Sequence, residues 1–179
     1  WEAQGVPARR LGTLQAAAKV IEEWLRLGGL SRAGLAVELK GLGLVPDPSM
    51  QRQALLEVLR DACVWQELPL GQLREECRKR QVAPAGVGGS EAEQRRALVQ
   101  RLLEHVGAAT YEAKGIPARR LGSMEKAAQL AQQCARFESM RGEELGRELR
   151  RLGLIQRPGA ERQELLAALR DAHAWRLLP

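Results

Sequence analysis

His105 and His173 are the only histidines in the chain. Neither has a Ser, Cys or carboxylate beside it in a pattern that recurs. An internal copy of the same segment holds Cys63 where His173 stands, which reads as a tolerant helical position and not as a general base. Cys63, Cys77 and Cys134 form no CxxC pair and no metal spacing. An odd number of thiols argues against a disulfide framework, and points to a reducing intracellular compartment, with a nucleus or an organelle as possible settings. The run Val87-Gly88-Gly89 lacks the lysine of a phosphate-binding loop. Asp61 and Asp171 each follow an arginine in a repeated LRDA, a pattern that suits helix-surface ion pairs better than a catalytic dyad. These residues give no enzyme, no metal site and no cofactor.

The remaining chemistry is cationic. The net charge is +6, and arginine outnumbers lysine. Arginine meets phosphate or carboxylate through two parallel donors. The charge is unevenly placed: residues 1–69 carry eight Lys/Arg and eight Asp/Glu, so the whole excess lies in residues 70–179. Arg74, Arg78, Lys79, Arg80, Arg95 and Arg96 form the densest basic cluster, although Glu75, Glu76, Glu91 and Glu93 share the region. Exposed Phe/Tyr pairs that could stack bases are missing, which argues against single-strand recognition.

Leu, Ala, Arg, Glu and Gln dominate the chain and aromatics reach only 3%, so good helix formers outweigh strand formers. Hydrophobic residues at 45% suffice for a globular core, and no apolar run is long enough for a transmembrane helix. The start at Trp1 suggests a processed chain or a fragment.

Shifting the sequence by 110 residues superimposes it on itself without gaps, with 30 identities over the 69 positions of 1–69 and 111–179. WEAQGVPARRLGT lies over YEAKGIPARRLGS, and LLEVLRDACVW over LLAALRDAHAW. A shorter register relates the middle to both flanks: Leu68, Leu73, Glu76, Cys77 and Val82 match Leu30, Leu35, Glu38, Leu39 and Leu44, and also Met140, Leu145, Glu148, Leu149 and Leu154. The organisation expected is a linker turn and helix over 1–29, a helix–loop–helix unit over 30–67, a second over 68–106, another linker turn and helix over 107–139, and a third unit over 140–179. A window cut from a longer repeat array, or a subunit of a large assembly, fits this pattern.

Spacing predicts about eight helices and no sheet. In 13–27 the residues Leu14, Ala17, Ala18, Ile21, Trp24 and Leu25 recur at three- and four-residue steps, with Thr13 as N-cap and Gly28-Gly29 as the stop. Ser123 opens the matching helix, with Met124, Ala127, Ala128, Ala131, Cys134 and Ala135 inward. Leu39, Cys77 and Leu149 are expected as buried equivalents. Gly43 and Gly153 suit a left-handed helix end, a freedom that Gln81 lacks. Pro48, Pro84 and Pro158 fall in connecting loops, the longest of which, 85–94, contains a Ser90/Glu93 capping box. Trp65 and Trp175 are expected to close the second helices as plugs against a following unit.

The middle segment, LPLGQLREECRKRQV followed by QRRALVQRLLEH, resembles the SAP domain, a small helix–extended-loop–helix module. Leu68, Leu73, Arg74, Cys77, Arg78, Arg80, Val82, Arg95, Leu98, Arg101 and Leu102 carry the resemblance; the flanking units keep fewer of its residues, and Gln81 stands where the family prefers Gly. The resemblance implies an all-α tandem helical repeat of SAP-like units joined by linker helices. It also implies a non-catalytic module binding nucleic acid, duplex DNA with little sequence specificity, through basic residues at the start of the second helix and on nearby loops. Carried over, those are Arg52, Arg95-Arg96 and Arg162, widened in the middle unit by Arg74, Arg78, Lys79 and Arg80. A helix N-terminus with arginines is a physically sound phosphate site. The neutral residues 1–69 favour the alternative, a helical scaffold or assembly subunit that binds protein. The repeated GVPARRLG and GIPARRLG segments lie outside the SAP pattern; their Arg9-Arg10 and Arg119-Arg120 are expected to dock on acidic residues of a neighbouring unit or to meet an acidic partner.

Overall fold

The computed structural model describes residues 2, 5–83, 89–155 and 159–179. Trp1, Pro84, Pro158 and most of the loop before Ser90 lie outside the described residues. Those residues form ten helices and no strand: α1 (Ala8–Leu11), α2 (Leu14–Gly28), α3 (Arg32–Gly41), α4 (Arg52–Glu67), α5 (Leu70–Lys79), α6 (Glu91–Glu112), α7 (Ala118–Leu121), α8 (Met124–Glu138), α9 (Gly142–Arg151) and α10 (Arg162–Leu177). Eight are full helices. The other two, α1 and α7, are single turns made by the repeated ARRL, each led by a proline that donates no N–H at a position where none is needed. Each of α1–α4 recurs 110 residues later with the same length as α7–α10, so the sequence repeat is a structural repeat. No helix of the described residues is long and apolar enough to cross a membrane.

The chain divides into two compact units, Trp1–Gly107 and Ala108–Pro179, with the division falling inside α6. The first unit has one continuous core to which all six of its helices contribute; Leu35, Leu39, Leu59, Leu68, Leu73, Cys77, Leu98 and Leu102 lie at its centre. The second has two apolar clusters, one around Tyr111, Leu121 and Leu130 and one around Phe137, Leu145, Leu149 and Leu169.

The helix starts follow the sequence. Thr13 accepts a hydrogen bond from the Ala16 N–H at 3.1 Å, and Ser123 accepts one from the Lys126 N–H at 3.4 Å. Ser90 and Glu93 form a reciprocal capping box before α6. The inward stripe of α2 differs from the expected one. It runs through Ala17, Val20, Trp24 and Leu27, whereas Leu14 and Leu25 are 76% and 74% exposed. Leu25 is one residue beyond Trp24, about 100° around the helix, and a packed Trp24 turns it to solvent. In α8, Leu130 and Phe137 take the buried places and Ala135 is exposed.

The first helices of the three short units, α3, α5 and α9, end alike. Leu39, Cys77 and Leu149 are each 2% exposed or less. Their carbonyls accept from the N–H of Leu44, Val82 and Leu154 at 3.0, 2.8 and 3.0 Å, while the N–H groups of Gly43, Gln81 and Gly153 donate to the carbonyls three residues back. This is a Schellman ending, which needs a left-handed residue one place beyond the cap. Gly43 and Gly153 supply it with φ of 79° and 76°. Gln81 supplies it too, at φ 56°, and is the only non-glycine with positive φ among the described residues. The loop geometry is kept although the residue type is unsuited to it.

Candidate nucleic-acid interface

The arginines that open the second helices share one geometry, and it faces the protein's own backbone. Arg52 is the first residue of α4. Its guanidinium donates to the Leu30 carbonyl at 3.0 Å and to the Gly28 carbonyl at 2.5 Å. Arg162, the first residue of α10, donates to the Glu138 and Met140 carbonyls at 2.5 and 3.5 Å. Arg95, in the first turns of α6, donates to the Leu68 carbonyl and, at 3.3 Å, to that of Gln66. In the repeat register Leu30, Leu68 and Met140 are equivalent, as are Gly28, Gln66 and Glu138. Each guanidinium therefore ties the second helix of its unit to the end of the helix that precedes the unit (α2, α4 and α8 in turn), where carbonyls lack intrahelical partners and the dipole favours a cation.

Most of the other basic residues in the middle unit also face protein groups. Arg74 donates to Gln94 at 2.7 Å, and Arg78 pairs with Glu75 on the same helix. Arg101, which carries part of the SAP resemblance, donates to the Ala83 carbonyl at 2.8 Å. Arg80 donates to Glu76 at 3.0 Å and to Asp61 at 3.2 Å, and its guanidinium lies 5.0 Å over the Trp65 ring. Arg96 is exposed, within electrostatic reach of Glu93. Lys79 is exposed with no hydrogen bond or ion pair among the described residues.

Glu76 is the hub that sequence reasoning underrated. Its carboxylate is almost buried between Arg10, at 2.5 Å, and Arg80. Burial pushes its pKa up, but the hydrogen bonds from the two guanidinium groups outweigh this and hold the carboxyl below its ordinary value. Arg10 thus joins the GVPARRLG turn to α5. A signal was present in the sequence: a glutamate stands immediately before the buried Leu39, Cys77 and Leu149 in all three units. Its role differs in each, since Glu38 pairs with Arg26 at 2.7 Å and Glu148 with Arg151 at 3.1 Å. Arg9 reaches Glu2 at 3.4 Å on the surface, and Arg119 pairs with Glu112. Arg120 lies 5.8 Å over the ring of Trp175.

Trp65 and Trp175, aligned in sequence, part company. Trp65 is 2% exposed, as expected of a plug against the following unit, and Trp175 is 68% exposed. His173 packs its ring against Phe137 with centroids 5.2 Å apart, and burial lowers its pKa. No group of three or more His, Cys, Asp or Glu able to hold a metal occurs among the described residues. A basic group missed in the sequence lies on α9: Arg147 and Arg150 are exposed and, with Arg162 and Glu143, line an open groove. No protein-family model matches the chain, and no characterised protein or solved structure is significantly similar to it.

Proposed function

We propose that this chain is a non-catalytic helical scaffold of three SAP-like units whose partner is protein. The observation that carries this reading is the shared use of Arg52, Arg95 and Arg162. Of the four arginines that the SAP resemblance assigns to phosphate, Arg52, Arg95 and Arg162 are engaged by carbonyls at the end of the helix before their unit and Arg96 is exposed; Arg74, Arg78 and Arg80 have partners as well. A phosphate would have to displace these contacts. The common Schellman ending and the common arginine tie support descent of the three units from one ancestor.

Nucleic-acid binding is the second reading, and one observation favours it: Arg147 and Arg150 are exposed beside Arg162 in the α9–α10 groove, with no acidic partner hydrogen-bonded to either among the described residues. A duplex-binding titration across salt separates the two. The scaffold reading expects no salt-sensitive association at about 50 mM salt, and no change when Arg95 and Arg96 are replaced by Ala. Salt-sensitive binding whose log–log slope falls by about two units in an Arg147→Ala/Arg150→Ala variant would instead establish the nucleic-acid reading, since each phosphate contact contributes roughly 0.9.

A further inference from the structure

The two copies fill the space between the paired helices of their short unit differently. In the first copy Arg32, which opens α3, donates to the Met50 carbonyl at 2.8 Å and to that of Pro48, and so spans from α3 to the segment before α4. Gly142 stands at that position in the second copy, and Ala160 stands in place of Met50. With both large side chains absent, a groove of about 540 Å³ lies between α9 and the start of α10. Its cations are also particular to this copy: Arg147 takes the place of Val37, and Arg150 that of Lys40. They lie one helical turn apart, exposed, with no hydrogen bond or ion pair among the described residues. Arg32, Val37 and Lys40 are exposed too although α5 and α6 follow them, so the openness of this face belongs to its own residues.

We infer that the α9–α10 groove is a docking site for a phosphorylated serine or threonine on a peptide segment of the protein partner. Buried Leu165 and half-buried Ala160 give the groove an apolar lining that suits the short arm of such a side chain. Arg147 and Arg150 have free donors for the phosphate, and each guanidinium can meet two of its oxygens. Arg162 is held by the Glu138 and Met140 carbonyls and adds a fixed positive charge. Three cations in one groove match the charge of about −2 on a phosphomonoester better than the single charge of a carboxylate. A duplex instead presents a continuous row of phosphates, and binding it tightly takes many contacts along that row. Glu143 lines the same groove and would set a like charge against the row, whereas a peptide offers it backbone N–H donors. This inference rests on the scaffold reading and gives its partner a chemistry.

The test uses the full chain labelled with nitrogen-15, and a short alanine–glycine peptide with a central phosphoserine as the probe. NMR reads the arginine Nε–H signals, assigned by Arg147→Ala and Arg150→Ala, and the Gly142 amide, assigned by Gly142→Ala, where an added Cβ meets nothing within 4 Å. The expected result is saturable movement of these signals by about 1 mM peptide, none with the unphosphorylated peptide, and weaker binding of a glutamate-centred one. Binding should tighten from about pH 5 to 7 as the phosphate takes its second charge. Arg147→Ala or Arg150→Ala should weaken it about tenfold. Ala160→Met, which refills the groove and leaves every charge in place, should weaken it as well. Inorganic phosphate or the glutamate peptide binding as tightly as the phosphopeptide, or binding indifferent to both arginine variants, overturns the inference. A duplex that displaces the peptide from these residues at physiological salt overturns it together with the scaffold reading. Binding of neither probe removes this site and leaves the scaffold reading standing.

Discussion

Replacing Gln81 by glycine should stabilise the protein. Gln81 holds φ at 56° because the Schellman ending of α5 demands it, and its side chain is exposed with no hydrogen bond among the described residues. A left-handed conformation costs a non-glycine residue about 1–2 kcal/mol. Glycine removes that cost but returns about 0.4–1 kcal/mol through the greater freedom of the unfolded chain. The net expectation is a gain of about 1 kcal/mol. Gly153→Gln supplies the mirror experiment at the end of α9, where an added Cβ meets no atom within 4 Å, so the backbone alone resists the change. It should cost about the same amount. Urea titration followed by far-ultraviolet circular dichroism measures both. With m near 2 kcal/mol/M, the first variant should move the midpoint of the unit's transition up by about 0.5 M and the second should move it down, with m unchanged. A lower midpoint for Gln81→Gly would refute the reasoning, since it would mean that the glutamine side chain contributes more than its backbone costs.

Glu76→Gln should cost about 1–3 kcal/mol near neutral pH, below the full figure for a buried pair because Arg10 and Arg80 keep a third of their side chains in water. The folded carboxyl has a lowered pKa, so its contribution is present above the unfolded value and is lost as pH falls through the folded one; stability measured across pH 6 to about 2 should fall less steeply in the variant. Arg52→Ala should cost about 1 kcal/mol in urea titration through loss of the tie to Gly28 and Leu30, with Arg52→Lys in between; an unchanged midpoint would show that the tie is idle.

Much of the fold was legible because helices announce themselves locally. The 110-residue register placed α2 over α8 and α4 over α10, and the three-and-four spacing found Leu39, Cys77 and Leu149. What escaped was set by neighbours. Leu14 and Leu25 satisfy a helical stripe as well as Val20 and Leu27 do, and only the position of the packed Trp24 decides which side faces in. Trp65 is buried with the Arg80 guanidinium over its ring, a contact that nothing in the tryptophan's own register announces. The arginine ties were illegible for another reason: Arg52, Arg95 and Arg162 were recognised as special, but their acceptors are main-chain carbonyls, which leave no mark in a sequence.

That same property bears on how such a chain could arise. A joint received by backbone oxygen places no demand on the side chains of the receiving segment, and Gly28, Gln66 and Glu138 have nothing chemical in common. One arginine brought along with a copied helix is enough to seat it against whatever helix happens to come before. Duplication and reshuffling of such pieces would be tolerated from the first generation, before any matching residues had time to evolve. The divergence at Gly28, Gln66 and Glu138, beside an arginine retained in all three units, is the record such a history would leave.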